Sequence, residues 1–213
     1  MRLDHLSYAA GPEGLGACVQ RIGSRLGAAF VDGGLHPVFG TRNFILPLAD
    51  GYYLEVVAEL DHPAADKAPF GQAVRTRSLA GGGWLGWVAA VDDIAPIEAR
   101  LGRMSVPGHR RRPDGCCLAW RQLGVHELID DPQLPFFVRW RCDPAEHPAA
   151  GGGAIALRSV EIAGDKAGLD AYLGTASAEV FGGVPIDWQP AEDGERGLLS
   201  ATFDTPRGPV RVD

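Results

Sequence analysis

Apolar and polar positions alternate in short runs broken by Gly and Pro, with stretches of helical spacing between them. Arg2 to Ala9 reads as a strand. Pro12 to Leu26 reads as a helix, since Leu15, Val19, Ile22 and Leu26 recur at spacings of three and four. Strand-like runs follow at Ala29–Asp32, Asn43–Leu48 and Tyr52–Ala58, separated by Gly33-Gly34, by Pro37 with Gly40, and by Asp50-Gly51. The Asp-Gly pair between two apolar runs is a hairpin signal. The same order then returns. Trp84–Val91 predicts a strand, Asp92-Asp93 a cap for a helix carrying Ile94, Ile97 and Leu101, and short strands follow near Ser105–Val106, Cys116–Leu123 and Phe136–Trp140. A third round predicts strand Ile155–Ala163, a helix from Asp165 to Leu173, and strands at Ala178–Phe181, Leu198–Phe203 and Pro209–Val212.

Each unit thus reads βαβββ over about 60 residues. A lone unit exposes one apolar face of a curved sheet and needs a partner. The expectation is an α+β fold. Modules 1–80 and 84–142 pair into a curved mixed sheet enclosing a cavity, within a domain 1–147, and a βαβββ-like module follows at 154–213. Gly81-Gly82-Gly83 and Gly151-Gly152-Gly153 read as linkers between the units. The third module holds 10 acidic and 5 basic residues from Gly151 onward, hence five of the seven net negative charges. It either packs outside the pair or meets a second subunit, as in a homodimer.

Composition narrows the classes. Among 213 residues, 46% are apolar and 22% charged, which suits a packed globular core rather than disorder. A net charge of −7 argues against nucleic acid as a partner. No apolar run approaches the roughly 20 residues of a membrane span, and Asp4 with no apolar run behind it argues against a secretory signal. The four cysteines (Cys18, Cys116, Cys117, Cys142) lack CxxC spacing and read as reduced thiols in a cytoplasmic protein.

Candidate chemistry concentrates in the first unit. His5 lies on its first strand and Glu55 on its fourth; alternation places His5 with Leu3 and Ser7, and Glu55 with Tyr53 and Val57. A carboxylate in so apolar a run needs a partner or a metal, and His with Glu suits Zn²⁺, Mn²⁺, Fe²⁺ or Ni²⁺. His5 alone also suits a hydrogen-bonded core histidine. The turn from Gly34 to Asn43 gathers His36, Thr41, Arg42 and Asn43, which either orient a substrate or hydrogen-bond the turn itself. In the second unit Arg110 and Arg112 share a face before the turn Pro113-Asp114-Gly115, and such arginines suit anion binding or a solvated surface. Arg139 sits in an aromatic strand, at an edge or pointing into a cavity that Trp84, Trp87, Trp120 and Trp140 could line. The remaining histidines, His62, His109, His126 and His147, read as solvent-facing. No Walker loop, GxSxG or HExxH occurs.

With this repeat and these residues, the chain resembles the vicinal oxygen chelate superfamily and, more closely, bacterial glyoxalase-like domain proteins. LDHLSYA at 3–9, HPVFGTRNFILPL at 36–48, YYLEVVA at 52–58 and PGHRRRPDG at 107–115 carry the resemblance, over roughly 1–145. It implies paired modules around a metal or ligand cavity, with His5 and Glu55 at the metal-ligand positions of the first and fourth strands. The second unit offers no such pair; in the third, Ser159 falls opposite His5 and Arg211 opposite Glu55. The implied function is a divalent-metal-dependent lyase or isomerase on a small oxygen-rich substrate. Glu55 and His36 would be catalytic, and His36, Thr41, Asn43, Arg112, Trp87 and Arg139 would contact substrate. The alternative is a metal-free binder of a small antibiotic-like molecule in the same cavity.

Overall fold

The computed structural model describes residues 1–213, the side chain of Asp193 excepted. Strand β1 (Arg2–Ala9), helix α1 (Leu15–Leu26), and strands β2 (Val31–His36), β3 (Thr41–Pro47) and β4 (Tyr53–Glu59) form the first unit. Helix α1 buries Cys18, Ile22 and Leu26 and ends on Gly27 in the left-handed conformation. Two helices unheralded by the sequence pattern follow, α2 (Pro63–Lys67) and α3 (Pro69–Leu79), each opened by a proline whose missing N–H costs nothing there. The second unit comprises β5 (Gly83–Ala90), α4 (Ala95–Leu101), β6 (Val106–Arg111), β7 (Cys117–Leu123), α5 (Val125–Asp130) and β8 (Phe136–Trp140).

These eight strands close into a barrel in the order β1-β4-β3-β2-β6-β7-β8-β5. Both halves share one plan, with the first strand parallel to the last (β1 with β4, β5 with β8) and the rest antiparallel. The halves meet at two seams of unequal strength. β1 pairs with β5 over most of its length, whereas β2 meets β6 at the single register pair Leu35 with Arg111. β2 runs through Gly33-Gly34, expected as a breaker, because bareness is needed there. A Cβ on Gly34 (φ +103°) would lie 2.0 Å from the Arg111 carbonyl oxygen.

One mouth of the barrel is plugged by α3 and α5, whose Phe70, Val74 and Leu128 pack with Phe39, Trp120 and Phe136. The segment after β8 crosses the other mouth and seats Ala149 against Ile45 and Tyr53.

The third unit has β9 (Ala156–Ala163), α6 (Lys166–Leu173), α7 (Ser177–Val180), β10 (Ile186–Gln189), β11 (Gly197–Thr205) and β12 (Gly208–Val212). Asp165 caps α6 through the N–H groups of Ala167 and Gly168. The strand expected at Ala178–Phe181 is instead α7 with its C-terminal flank. Ser177, Val180 and Phe181 stand at i, i+3 and i+4 and are all buried, a helical face that the alternation of Ala176, Ala178 and Val180 had masked. Its sheet order is β10-β9-β11-β12, unlike that of the barrel halves. β9 and β12 are not neighbours, so Ser159 and Arg211 form no counterpart of His5 and Glu55. The unit packs on the outside of the barrel, joining Val160, Ile162, Phe181 and Phe203 to Leu3, Leu6, Trp84 and Trp87. No helix among the described residues is long and apolar enough to cross a membrane.

Candidate functional site

The parallel pairing of β1 with β4 sets Ser7 beside Glu55 and His5 beside Tyr53. Both sequence-predicted ligands therefore enter the barrel, each 4–5% exposed. Ser7 Oγ donates to Glu55 Oε2 at 2.5 Å, and Asn43 Nδ2, from the adjoining β3, donates to Oε1 at 2.6 Å. Burial pushes the Glu55 carboxyl up. His5, His36 and the two hydrogen bonds outweigh it and hold the carboxyl below its ordinary value, so it is ionised.

His5 stacks on Tyr53 with ring centres 4.3 Å apart, and its Nδ1 bonds Asp4 Oδ2 at 2.8 Å. Asp4 is fully buried. Its Oδ1 also receives Trp140 Nε1 at 3.1 Å and His147 Nε2 at 3.0 Å. Burial opposes its charge, but these donors prevail and hold the carboxyl far below its usual range. With Nδ1 on Asp4, His5 turns Nε2 toward Glu55 Oε2 at 3.7 Å. His5 Nε2 and the Glu55 carboxylate are thus held together at one point of the buried site. His36, 4% exposed, bonds Thr41 Oγ1 through Nδ1 at 2.9 Å and turns Nε2 to the cavity. Burial pushes its pKa down to about 4, so it is neutral at pH 7.

The cavity is about 30 Å³, room for one or two waters, and Phe39, Phe70, Trp120, Phe136, Val138 and Trp140 form its apolar wall. The second unit adds two polar groups, Gln122 and Arg110. Gln122 Oε1 accepts from Trp120 Nε1 at 2.9 Å, and Arg110 Nη1 donates to Asn43 Oδ1 at 3.5 Å.

Several expectations need correction. Trp87 is fully buried outside the barrel, its Nε1 donating to the Gln133 carbonyl at 3.0 Å and its ring against Phe181. An irregularity in β5 near Gly86 (φ +152°) puts Trp84 and Trp87 on the same outer side despite their odd spacing. Arg139 alternates outward from Phe136 and Val138 and donates to the Asp92 carbonyl at 2.8 Å. Arg112 lies beyond the end of β6 and pairs with Asp114 near the surface. Thr41 is fully buried and supports His36 without lining the cavity. Leu3 does not share a face with His5. A register shift between them sends Leu3 to the outer core. His147 is not solvent-facing, and Asp4, Gln122 and His147 are site residues that the sequence did not single out, while Arg110 takes the place expected of Arg112.

A family model described as a glyoxalase-like domain matches residues 3–175. The chain belongs to that family. The match extends past the barrel into helix α6, further than the 1–145 span seen in sequence. None of the curated proteins matches. Among solved structures, a hypothetical protein from Staphylococcus aureus superposes over 100% of this chain and 85% of its own, with TM-score 0.60 and 14% identity, a likeness of fold. A methylmalonyl-CoA epimerase from Mycobacterium tuberculosis covers 65% of this chain and 86% of its own, at TM-score 0.43 and 15% identity. A Streptomyces coelicolor epimerase in complex with 2-nitronate-propionyl-CoA covers 66% of this chain and 93% of its own, at TM-score 0.41 and 17% identity.

The glyoxalase-like fold raises the question of a divalent cation. Among the described residues no group of three or more His, Cys, Asp or Glu side chains is arranged to hold one. His5 Nε2 and Glu55 Oε2 nonetheless lie near the spacing of about 3–3.5 Å expected of two donors on one ion. His5 is backed by a carboxylate at its other nitrogen, the usual support of a metal-bound imidazole. The residues fit a cation held by these two donors, with water or substrate completing its shell.

Proposed function

We propose that this glyoxalase-like protein is a lyase- or isomerase-type enzyme acting on a small oxygen-rich substrate inside the barrel, with a divalent cation (Zn²⁺, Mn²⁺, Fe²⁺ or Ni²⁺) held by His5 and Glu55. The observation that supports the reading is the 3.7 Å approach of two buried groups of ligand type, His5 Nε2 and Glu55 Oε2. Held there, a divalent cation would supply Lewis-acid polarisation of vicinal substrate oxygens.

The chain's own groups do the rest. Ser7 and Asn43 fix both oxygens of Glu55, so the carboxylate meets substrate in one orientation. Neutral His36, anchored by Thr41, presents Nε2 as the group that takes up or returns a proton. The plug of α3 and α5 keeps bulk water from the reacting atoms. Residues 154–213, none of which lines the cavity, act as a buttress on the domain 1–147. Four free cysteines suit a reducing cytoplasm.

A second reading, sequestration of an apolar ligand without turnover, is favoured by the aromatic wall of Phe39, Phe70, Trp120 and Phe136. Metal content separates the two, measured on untagged wild type, His5→Ala and Glu55→Ala. Near-stoichiometric metal lost in both variants supports the enzyme and leads to a turnover screen of 2-oxo and diol compounds. Wild type that takes up none of the four ions sinks the metalloenzyme and leaves the binder.

A further inference from the structure

Arg110 is 2% exposed and lines the cavity, yet forms no ion pair among the described residues. Its buried Nε has no hydrogen-bond partner, and Nη1 makes only the 3.5 Å contact to Asn43. A guanidinium carries five donors in a planar fork, and burying one unpaired is costly unless something else supplies the anion. The neighbouring arginines do not share this situation, since Arg111 is exposed and Arg112 has Asp114.

The nearby anion, Glu55, is kept from Arg110 by Asn43. The amide turns its donor to the Glu55 carboxylate and its acceptor to the Arg110 guanidinium, holding the opposite charges one side chain apart. β2 is shaped around this arrangement. A Cβ on Gly33 would lie 2.1 Å from Asn43 Oδ1 and 2.9 Å from Arg110 Nη1.

We propose that Arg110 receives a carboxylate of the substrate, and that the site takes small α-oxygenated carboxylates, 2-hydroxy or 2-oxo acids. The carboxylate docks on the fork, and the α-oxygen lies toward His5 and Glu55. This rests on the reading of His5 and Glu55 as the reactive end. The cavity, about 30 Å³, excludes a bulky anion and must open further to take even a two-carbon acid.

The test uses glycolate and its uncharged counterpart glycolamide, titrated calorimetrically into wild type, Arg110→Gln and Arg110→Lys. Wild type is expected to favour glycolate by at least about 10-fold, the worth of a charge-assisted bidentate contact. Arg110→Gln should erase that preference with its metal content unchanged, and Arg110→Lys should keep part of it. Equal affinities in wild type, no glycolate binding at all, or a preference that survives in Arg110→Gln would overturn the proposal. If Arg110→Gln does not fold, Arg110→Lys carries the test, and equal wild-type affinities still overturn the proposal. The ratio is read without turnover. A metal-free protein that keeps an Arg110-dependent preference would therefore sink the metalloenzyme while the anchor stands.

Discussion

The two halves of the barrel share a strand plan but divide the site unequally. The first half supplies His5, Ser7, His36, Asn43 and Glu55, polar groups each held by a hydrogen bond on four adjoining strands. The second supplies Phe136, Val138, Trp120 and Trp140, together with Gln122 and Arg110. At the site-facing positions of β5 and β8 stand Val88 and Phe136, which face each other where β1 and β4 carry polar groups. A duplicated frame can thus place reactive groups on one wall and use the other to exclude water and carry a lone positive charge. The reactive wall depends on hydrogen bonds and the other on packing, so they should fail differently when perturbed.

The largest effect is expected at the root of the first half. Asp4→Ala leaves His5, His147 and Trp140 without their buried acceptor, a loss of about 3–5 kcal/mol. Thermal unfolding should fall by roughly 6–20 °C, and by less in Asp4→Asn, which keeps one oxygen. An Asp4→Ala protein as stable as wild type would remove the hub from the account.

Next comes pH. Burial holds His36 at about 4 in the fold against an ordinary 6.5, so between those values the unfolded chain binds a proton that the fold refuses. Stability is full above about pH 6.5 and falls by about 3 kcal/mol as the pH drops toward 4. Asp4 and Glu55, held low, add their loss only once the pH reaches the ordinary carboxyl range. Denaturant titrations between pH 7 and 5 should therefore show a slope that disappears in His36→Gln and persists in Trp120→Phe. An equal slope in both variants would contradict the division between the walls.

The smallest effect concerns the seam where the halves meet. Gly34→Ala strains a positive φ and drives a Cβ onto the Arg111 carbonyl, a cost of about 1–3 kcal/mol. Gly115→Ala, at φ +85° with open space around it, suffers the strain alone. Urea midpoints that do not separate the two would show that the β2–β6 contact contributes little to closure.

The repeat was legible because β1, β4, β5 and β8 are buried runs bounded by turn residues, whereas the pairing of His5 with Glu55 was implied by the family resemblance and needed the observed β1–β4 adjacency. What stayed hidden has physical causes. Irregularities in the pairing of β1 with β5 reset alternation, moving Leu3 and Trp87 to the outer core and leaving Asp4 to reach Trp140 and His147. Helices α2 and α3 show weak periodicity, because their prolines and one buried stripe, Phe70 with Val74, carry the signal. Arg110 was placed on a face with Arg112, but only the end of β6 at Arg111 decides which of them enters the barrel. His147 sits among Pro and Ala, and its partner lies 143 residues away.

That separation has a consequence during synthesis. The last of the donors to Asp4, His147, is made 143 residues after it. At about 5–20 residues per second, the carboxylate waits roughly 7–30 s for its final partner. The nascent first half cannot enclose it in that interval without burying a charge that has His5 but lacks Trp140 and His147. Closure of the reactive wall is thereby timed to the emergence of the segment after β8, and a chain stalled before it would keep that wall open to water.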